Sequence, residues 1–337
     1  MNLLIKNGKL VFESHIEKKD ILISMGKIQQ IDSSIEPISS DRIIDASGCF
    51  VFPGFIDAHT HYGVGEGDNK SADDFESGTR AAIYGGITTC IDFADHLPGN
   101  PIIDGALKRI KQAKNSYIDF ALHQGIYRID ATLENEIEEL ANFGIRIIKI
   151  FTTYKNLGLY VDPKHYKQLF QLCKKYKILP TIHAEDEDVI EEYSQQGLSH
   201  ASPFLHSLLR PSLAEKVAIK NVGAIAQESQ TPLYIVHVSS HDGLESLQSL
   251  RQQGCEIVGE TTMHYTLLDS GYLSCNQGGL YLMTPPLRTN KDNTALIKAL
   301  NSKEISVVAS DHCAYLTKQK LISLDPRKIP AGIPGSQ

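Results

Sequence analysis

The stretch FPGFIDAHTHYG, residues 52–63, marks the point at which the pattern of the chain changes. Before it, residues 1–52 consist of short alternating runs with glycines at turn positions, which predict a small β-domain. After it, compact apolar runs alternate with longer amphipathic segments. The stretch itself predicts the first strand of this second pattern, and its histidines, His59 and His61, would project from one face of that strand.

Eight apolar runs after residue 53 have the length and composition of strands, and amphipathic helical segments lie between them. These runs are GFIDAH, ITTCIDFA, IDFALHQGI, IRIIKIF, LPTIHAE, LYIVHVS, EIVGETT and ISVVASD. Strand and helix in alternation predict a parallel sheet with right-handed crossovers, and eight strands predict a closed TIM-like (β/α)8 barrel over residues 53–337. A doubly wound open sheet is the alternative, but no glycine-rich phosphate fingerprint follows the first strand.

Composition limits the classes of function. With 337 residues, 42% apolar and 22% charged, the chain can form one large core or two domains. A net charge of −7 without a cluster of Lys and Arg argues against a nucleic-acid partner. No apolar run has the length of a membrane span, and the N-terminus lacks the features of a signal peptide. The six cysteines include no C-x-x-C pair, so we expect reduced thiols and a cytoplasmic location.

The catalytic residues of a (β/α) barrel collect at the C-terminal ends of its strands. The residues at those ends that could take part in metal binding are His59, His61, Lys149, His183, His237 and Asp311. Two imidazoles at positions i and i+2 can chelate zinc, although an isolated pair is as consistent with one core histidine and one solvated histidine. Further ligand types at the other strand ends favour a metal centre.

Several motifs together carry a resemblance to a known family. In order, PGFIDAHTH, the lysine of the fourth strand, IHAE, HVS and SDH resemble the motifs of cyclic amidohydrolases of the amidohydrolase superfamily, and most closely those of hydantoinases and dihydropyrimidinases. The stretches SADDFESGTRAAIYGGITT, FTTYKN and YLMTPPLR extend the resemblance over essentially the whole chain. It implies hydrolysis of a C–N bond in a small cyclic amide or ureide, a hydantoin or a 5,6-dihydropyrimidine, to an N-carbamoyl amino acid. We also expect a homo-oligomer, a dimer or a tetramer.

The resemblance further implies a centre with two divalent metal ions, for which zinc is the first choice. His59, His61 and Asp311 would hold one ion, and His183 and His237 would hold the other. Lys149, carboxylated by CO2 to N6-carboxylysine, would bridge them, because an ammonium cannot bind a cation whereas a carbamate can span ions ~3.5–4 Å apart. A bridging hydroxide would then attack the ring carbonyl.

Four residues receive further roles from the resemblance. Asp311 would take the proton of the attacking water and deliver it to the leaving ring nitrogen, although a helix N-cap is the alternative role for this aspartate. Tyr154 resembles the family tyrosine that stabilises the oxyanion. Thr284 and Ala331 correspond to positions, commonly serine and asparagine, whose main chain contacts the ring. A main-chain contact tolerates both replacements.

Alternatives of substrate and class stay open at this point. Allantoin is a possible ring substrate and dihydroorotate a weaker one, because no arginine stands beside the H-x-H motif to bind a carboxylate. The superfamily also contains non-catalytic dihydropyrimidinase-like scaffolds, which have lost the ligands. The loop YGVGEGDNKSADDF is rich in glycine and charged residues where relatives often place bulky apolar residues that bind the exocyclic substituent of the ring. Four residues are candidates for the walls of that pocket: Tyr62, Val64, Leu157 and Tyr160.

The remaining histidines are predicted to lie outside the metal centre. We expect His15, His165, His200 and His206 to be solvated or capping residues. We expect hydrogen bonds around the ligands from His96, His123, His241, His264 and His312.

The end of the chain leads to one more expectation. Relatives continue well beyond GIPGSQ, so we expect a C-terminally truncated version of the family fold. The last barrel helix would be missing, and the β-sandwich begun by residues 1–52 would be incomplete, which would leave apolar surface and strand edges exposed. The ligand set is complete all the same, because Asp311 precedes the end.

Overall fold

The N-terminal residues form a mixed sheet. The computed structural model describes residues 2–39, 41–195 and 201–337, in two compact units that divide between Phe55 and Ile56. The strands of the first unit are β1 (Asn2–Val11), β2 (Ile16–Ser24), β3 (Lys27–Asp32), β4 (Asp41–Asp45) and β5 (Phe50–Val51). The sheet has the order β3-β2-β1-β4, with β5 also paired to β1. The turn between β2 and β3 contains Gly26 at φ +73°, as predicted for a glycine at a hairpin position.

The second unit contains a single sheet of eight strands. They are β6 (Phe55–Thr60), β7 (Ile87–Ala94), β8 (Asp119–Gly125), β9 (Ile147–Phe151), β10 (Leu179–His183), β11 (Leu233–Ile235), β12 (Ile257–Thr262) and β13 (Val307–Ala309), adjacent in this order. A parallel bridge between Thr60 and His312 joins β6 to the segment after β13. The hydrogen bond from His61 N to His312 O, 2.8 Å long, lies at the same junction. The predicted barrel is confirmed, and each strand overlaps one of the eight predicted runs.

Helices lie between the strands. They are α1 (Phe75–Tyr84), α2 (Ile102–Gln112), α3 (Leu133–Phe143), α4 (Tyr166–Tyr176), α5 (Glu187–Ser194), α6 (Leu205–Leu209), α7 (Ser212–Ser229), α8 (His241–Gln252), α9 (His264–Leu267), α10 (Asn290–Asn301) and α11 (Thr317–Lys320). The long amphipathic segments form α1–α4, α7, α8 and α10. Helices α5, α6, α9 and α11 were not predicted, because so few residues do not establish a helical period.

The barrel core is one continuous apolar cluster between strands and helices. Ile148 and Ile150 on β9 are fully buried, as are Phe170 on α4, Ile219 on α7 and Leu247 on α8. Branched and aromatic side chains from successive βα units therefore pack into one layer, which fixes the strands and the positions of their C-terminal ends.

Two strands end where a site residue adopts a left-handed backbone. His237 has φ +39° and Asp311 has φ +48°, and β11 and β13 each stop two residues earlier. Non-glycine residues rarely adopt such angles, and a strand cannot continue through them. The predicted strands LYIVHVS and ISVVASD are therefore longer than the observed ones, and backbone strain of this kind concentrates at functional sites.

The chain after β13 contains short helical segments. Among the residues described there, these are α11 and a single 3-10 turn, Pro326–Lys328. In the part of the chain that the structure describes, no helix combines the length and apolar character needed to cross a membrane.

Candidate metal and substrate site

A cavity of about 220 Å³ opens at the C-terminal ends of the barrel strands. Every residue predicted for the site lines it: His59, His61, Lys149, Tyr154, His183, His237, Thr284, Asp311 and Ala331. The first and last of these residues, His59 and Ala331, are 272 positions apart in the sequence, and the barrel topology brings them together.

Three of these residues form a compact triad of candidate metal ligands. The Nε2 atoms of His59 and His61 are 3.1 Å apart, and they lie 3.2 and 3.3 Å from Asp311 Oδ1. Ligand atoms that share one tetrahedral ion at bonds of 2.0–2.2 Å are separated by ~3.3–3.6 Å. Two of the three separations are slightly shorter than this range, and the donor set of two imidazoles and one carboxylate suits a divalent ion of the zinc type.

The Asp311 carboxylate lies in an environment that favours its charge. Burial opposes ionisation, but His59 and His61 outweigh it and hold the pKa of Asp311 well below its usual range. Burial lowers the pKa of the His61 imidazole, which leaves it neutral near pH 7. Deprotonated carboxylate and neutral imidazole are the forms that bind a metal.

A second pair of imidazoles lies across the cavity. The rings of His183 and His237 meet edge to face, with centroids 4.6 Å apart. Burial lowers the pKa of His183 to about 4 and that of His237 well below its usual value, so both rings are neutral. The Nε2 atom of His183 is hydrogen-bonded to Glu185 Oε2 at 2.7 Å, which leaves Nδ1 as the atom able to bind a metal.

Lys149 is a buried amine beside these ligands. Its side chain is buried between the Phe93 and Phe151 rings, whose centroids are 4.9 and 5.2 Å from Nζ. Across the described residues, no hydrogen bond or ion pair reaches this atom. Burial lowers the pKa of Lys149 to about 8, although Asp311 and Glu260 oppose the shift. A minor fraction of the amine is therefore neutral near pH 7, far more than for an exposed lysine, and only the neutral form reacts with CO2.

Two buried glutamates support the imidazoles, and neither was predicted as a site residue. Glu260 Oε1 accepts a hydrogen bond from His59 Nδ1 at 2.8 Å, so the Nε2 atom of that ring faces Asp311. The other oxygen of Glu260 accepts from the Tyr234 hydroxyl at 2.6 Å. The available signal was a glutamate in the middle of the strand run EIVGETT, between uncharged residues. Carboxylates behind ligating histidines fix the tautomer and the ring orientation.

Glu185 joins His183 to a buried arginine. Arg210 Nη2 lies 2.7 Å from Glu185 Oε2, and its guanidinium also stacks 5.0 Å from the centre of the Tyr154 ring. Burial alone would raise the pKa of Glu185, but Arg210 and His183 hold it well below the usual range. The sequence shows Arg210 only as a basic residue before a proline, so its role could not be deduced from spacing.

Loss of this arginine has a predictable cost. In Arg210→Met, Glu185 keeps a buried charge without its cationic partner, so the free energy of unfolding should fall by about 3–5 kcal/mol. Urea denaturation of the chelated, metal-free protein measures this cost without a contribution from bound ions. Lys167→Met, which breaks the exposed Lys167–Glu228 pair, is the matched control and should change little. Equal curves for the two variants would rule out a stabilising role for the buried pair.

One histidine lies in an unexpected place. His206 was expected to be solvated or to cap a helix, and that prediction is wrong: its Nε2 atom lies 3.0 Å from Met283 O and 2.9 Å from Thr284 Oγ1. The side chain thus supports a loop that lines the cavity. His200 lies outside the described residues.

The predicted pocket walls are only partly correct. Val64 lines the cavity, but Tyr62 is fully buried beneath α1, where its ring contacts Phe75 and its hydroxyl is bonded to Ser336. Leu157 is 63% exposed and, within the described residues, is not part of the lining. Tyr62 therefore points inward, away from the cavity.

Comparison with known proteins identifies the family. Residues 50–324 match the Amidohydrolase family, and the chain belongs to it. It is 35% identical over 342 residues to the D-hydantoinase of Geobacillus stearothermophilus, an alignment that covers 99% of this chain and 72% of that one. A crystal structure of a D-hydantoinase superposes with a TM-score of 0.95 at 33% identity, over 100% of this chain and 74% of the other. The dihydropyrimidinase of Brevibacillus agri gives a TM-score of 0.94 at 31% identity, with the same coverage.

The family is metal-dependent, and this chain presents candidate metal-binding residues in its cavity. The recognition of a cyclic amidohydrolase, made from ordered motifs, is confirmed.

Proposed function

We propose that this protein opens a cyclic ureide, a hydantoin or a 5,6-dihydropyrimidine, by metal-dependent hydrolysis to an N-carbamoyl amino acid. The observation that carries the proposal is the convergence of a ligand triad, two neutral imidazoles and a buried amine on one cavity. The likeness to D-hydantoinases and a dihydropyrimidinase supports the choice of ring.

The proposed cofactors are two divalent ions, with zinc as the first choice. His59, His61 and Asp311 would hold one, and His183 and His237 the other. When bound, the ions would supply Lewis acidity toward the scissile carbonyl and toward the attacking water. The triad spacing and the neutral state of the imidazoles support this arrangement.

Lys149 is the proposed bridge after carboxylation. Its neutral Nζ would attack CO2, form an N–C bond and release one proton, which turns a neutral amine into an anionic carbamate. Burial of the side chain favours the neutral amine over the ammonium, and this outweighs the cation–π attraction that the Phe93 and Phe151 rings offer the charged form. The resulting anion needs cations beside it in this buried place, which the two ions would provide.

Asp311 is the proposed carrier of the proton. Its carboxylate, ionised at neutral pH, would accept the proton of the attacking water and deliver it to the ring nitrogen as the C–N bond breaks. Of the attacking water, the oxygen stays on the carbonyl carbon, and the proton carried by Asp311 ends on the carbamoyl nitrogen. The strained backbone at Asp311 directs the side chain into the cavity.

Tyr154 is the proposed donor to the carbonyl oxygen as negative charge develops there. Burial raises its pKa to about 12, so the hydroxyl is protonated and able to donate. The Arg210 guanidinium and the His183 ring, 5.0 and 5.2 Å away between centres, hold the phenol ring.

Removal of the Tyr154 hydroxyl tests this role. We expect Tyr154→Phe to lower kcat for ring opening about 10²–10³-fold, because one oxyanion donor is lost while the ring packing stays. Steady-state kinetics and metal content should be measured together, and metal content should not change. Tyr117→Phe, at an exposed tyrosine, is the control. A kcat equal to that of the unmodified chain would remove Tyr154 from the chemistry.

Thr284 and Ala331 are the proposed ring-binding positions, through main-chain groups. Both line the cavity, where a planar amide ring could pair with backbone N–H and C=O groups. Among the described lining residues there is no arginine, and the only lysine is Lys149. This favours neutral rings over dihydroorotate, whose carboxylate would need a cation.

The enzyme role is tested by turnover of a substrate series. The chain, supplied with zinc and bicarbonate, should open hydantoin and dihydrouracil to N-carbamoyl amino acids, with allantoin and dihydroorotate as comparisons. Preferred turnover of allantoin would change the ring assignment within the same chemistry. A folded, metal-loaded chain that opens none of these rings would support the non-catalytic scaffold, which retention of the whole ligand set disfavours.

Two further proposals concern the setting of the enzyme. We place it in the cytoplasm as a homo-oligomer, a dimer or a tetramer. All six cysteines are free thiols, which supports a reducing compartment. Light scattering coupled to gel filtration measures the oligomeric state.

A further inference from the structure

Lys320 is a buried lysine outside the proposed metal centre. It is the last residue of α11, and only 2% of its surface is exposed. Its Nζ atom donates to three backbone carbonyls, those of Leu282 at 2.6 Å, Pro330 at 2.8 Å and Gly332 at 2.9 Å. An ammonium has three N–H donors, so its hydrogen-bonding capacity is fully used by these oxygens.

This lysine is held without an acidic partner. Across the residues that the structure describes, no carboxylate forms an ion pair with Lys320, and the titratable side chains facing it are Cys313 and Tyr315. Burial lowers the pKa of Lys320 to about 7, because the charged ammonium is desolvated in this place. An apolar side chain of similar length would fill the same space, but it would leave the carbonyls of Pro330 and Gly332 without this donor and Leu282 O with only the Gly332 N–H.

The three carbonyls belong to two segments that form one wall of the cavity. Leu282 precedes Met283 and Thr284, which line the cavity, and Pro330 and Gly332 flank Ala331, which also lines it. The segments touch directly through the bond from Gly332 N to Leu282 O, 3.0 Å long. One ammonium therefore joins the two stretches of backbone proposed to bind the ring.

Two glycines allow the segments to come this close. A Cβ at Gly279 would lie 2.2 Å from Lys320 O, so a side chain there would displace the lysine backbone. Gly332 has φ +144°, an angle that other residues rarely adopt, and a Cβ there would lie 2.6 Å from Cys313 O. The lack of a side chain at Gly279 and Gly332 thus allows the two backbone segments and α11 to pack closely around the ammonium.

We propose that Lys320 is a positioning residue that holds the segments Leu282–Thr284 and Pro330–Gly332 at the separation needed to bind the ring. This inference rests on the proposed function, since it gives these segments their role in substrate binding. Lys320 itself lines no part of the cavity among the described residues, so it acts only through the backbone groups that it holds.

The test is Lys320→Met, which keeps the length of the side chain and removes the donors. We expect KM for hydantoin to rise roughly 10–100-fold, while kcat stays within about threefold, because the ring is bound less well and the reacting groups are intact. Metal content should not change. Lys318→Met, at an exposed lysine of the same helix, is the matched control and should leave KM unchanged.

Hydrogen exchange provides a readout that does not depend on turnover. Peptides covering residues 280–286 and 328–334 should exchange faster in Lys320→Met than in the unmodified chain, while a peptide from α3 should not. If Lys320→Met does not fold, Lys320→Gln, which keeps two N–H donors, carries the same comparison with a smaller expected rise in KM.

The possible outcomes separate this inference from the proposed function. If the unmodified chain opens no ring, the proposed function fails, and the exchange data alone decide whether Lys320 holds the two segments. If the unmodified chain is active, a KM within twofold and unchanged exchange in Lys320→Met overturn the inference. Reduced thermal stability with unchanged KM overturns it as well, because that result describes a merely structural lysine.

Discussion

Asp311→Asn should lower kcat for ring opening about 10²–10⁴-fold, the range associated with loss of a general acid–base group. Asparagine has nearly the same shape and keeps an oxygen that can face the ions, but it cannot accept the proton of the attacking water. The carboxylate is ionised in the folded chain, so the unmodified enzyme holds the base form ready at neutral pH. The loss should therefore appear in kcat more than in KM.

The measurement combines steady-state kinetics with elemental analysis of the same sample. Asp119→Asn is the control, because Asp119 is exposed at the opposite end of strand β8 from the cavity. A large loss of kcat with both ions retained would assign Asp311 a proton-transfer role. If Asp311→Asn works at the rate of the unmodified chain, the proposed proton transfer is wrong. A helix N-cap would not replace it, because the next helix, α11, begins at Thr317.

Lys149→Ala should have a comparable effect by a different route. Without the amine no carbamate can form, so we expect at most one ion in place of two and a fall in kcat of about 10³-fold or more, since several kcal/mol of metal assistance are lost. Alanine also leaves space beside Phe93 and Phe151 that a small carboxylate can enter.

Rescue with propionate distinguishes a missing bridge from a damaged fold. Added propionate should restore part of the metal content and of the activity of Lys149→Ala, because its carboxylate can occupy the place of the carbamate. Lys298→Ala, at an exposed lysine, should behave like the unmodified chain. If Lys149→Ala keeps its full metal content and activity, the carboxylated-lysine account is wrong.

Much of the fold could be predicted from sequence because the barrel has a strong repeating signal. Each strand is a compact apolar run and each long helix an amphipathic segment, so their alternation indicates the topology. The topology then predicts which strand ends meet, and His59, Lys149 and Asp311 lie on one cavity for that reason. Candidate metal ligands at the ends of barrel strands can therefore be predicted from the sequence.

The supporting contacts could not be predicted in the same way. Arg210, His206 and Lys320 lie in or directly after the short helices α6 and α11. Their partners are a carboxylate, a threonine hydroxyl and backbone carbonyls, which form no pattern in the sequence. The prediction for His206 failed for this reason. Tyr62 was misplaced because successive side chains of an extended chain point to opposite faces, so the residue after His61 points away from the cavity that His59 and His61 line.

The most direct measurement is the number of zinc ions per folded chain, by elemental analysis, with and without dissolved CO2. The account predicts about two ions per chain when CO2 is present and fewer when it has been removed, because the bridge between the two sites depends on the carbamate of Lys149. A folded chain that binds no zinc, or that binds the same number with and without CO2, would contradict it.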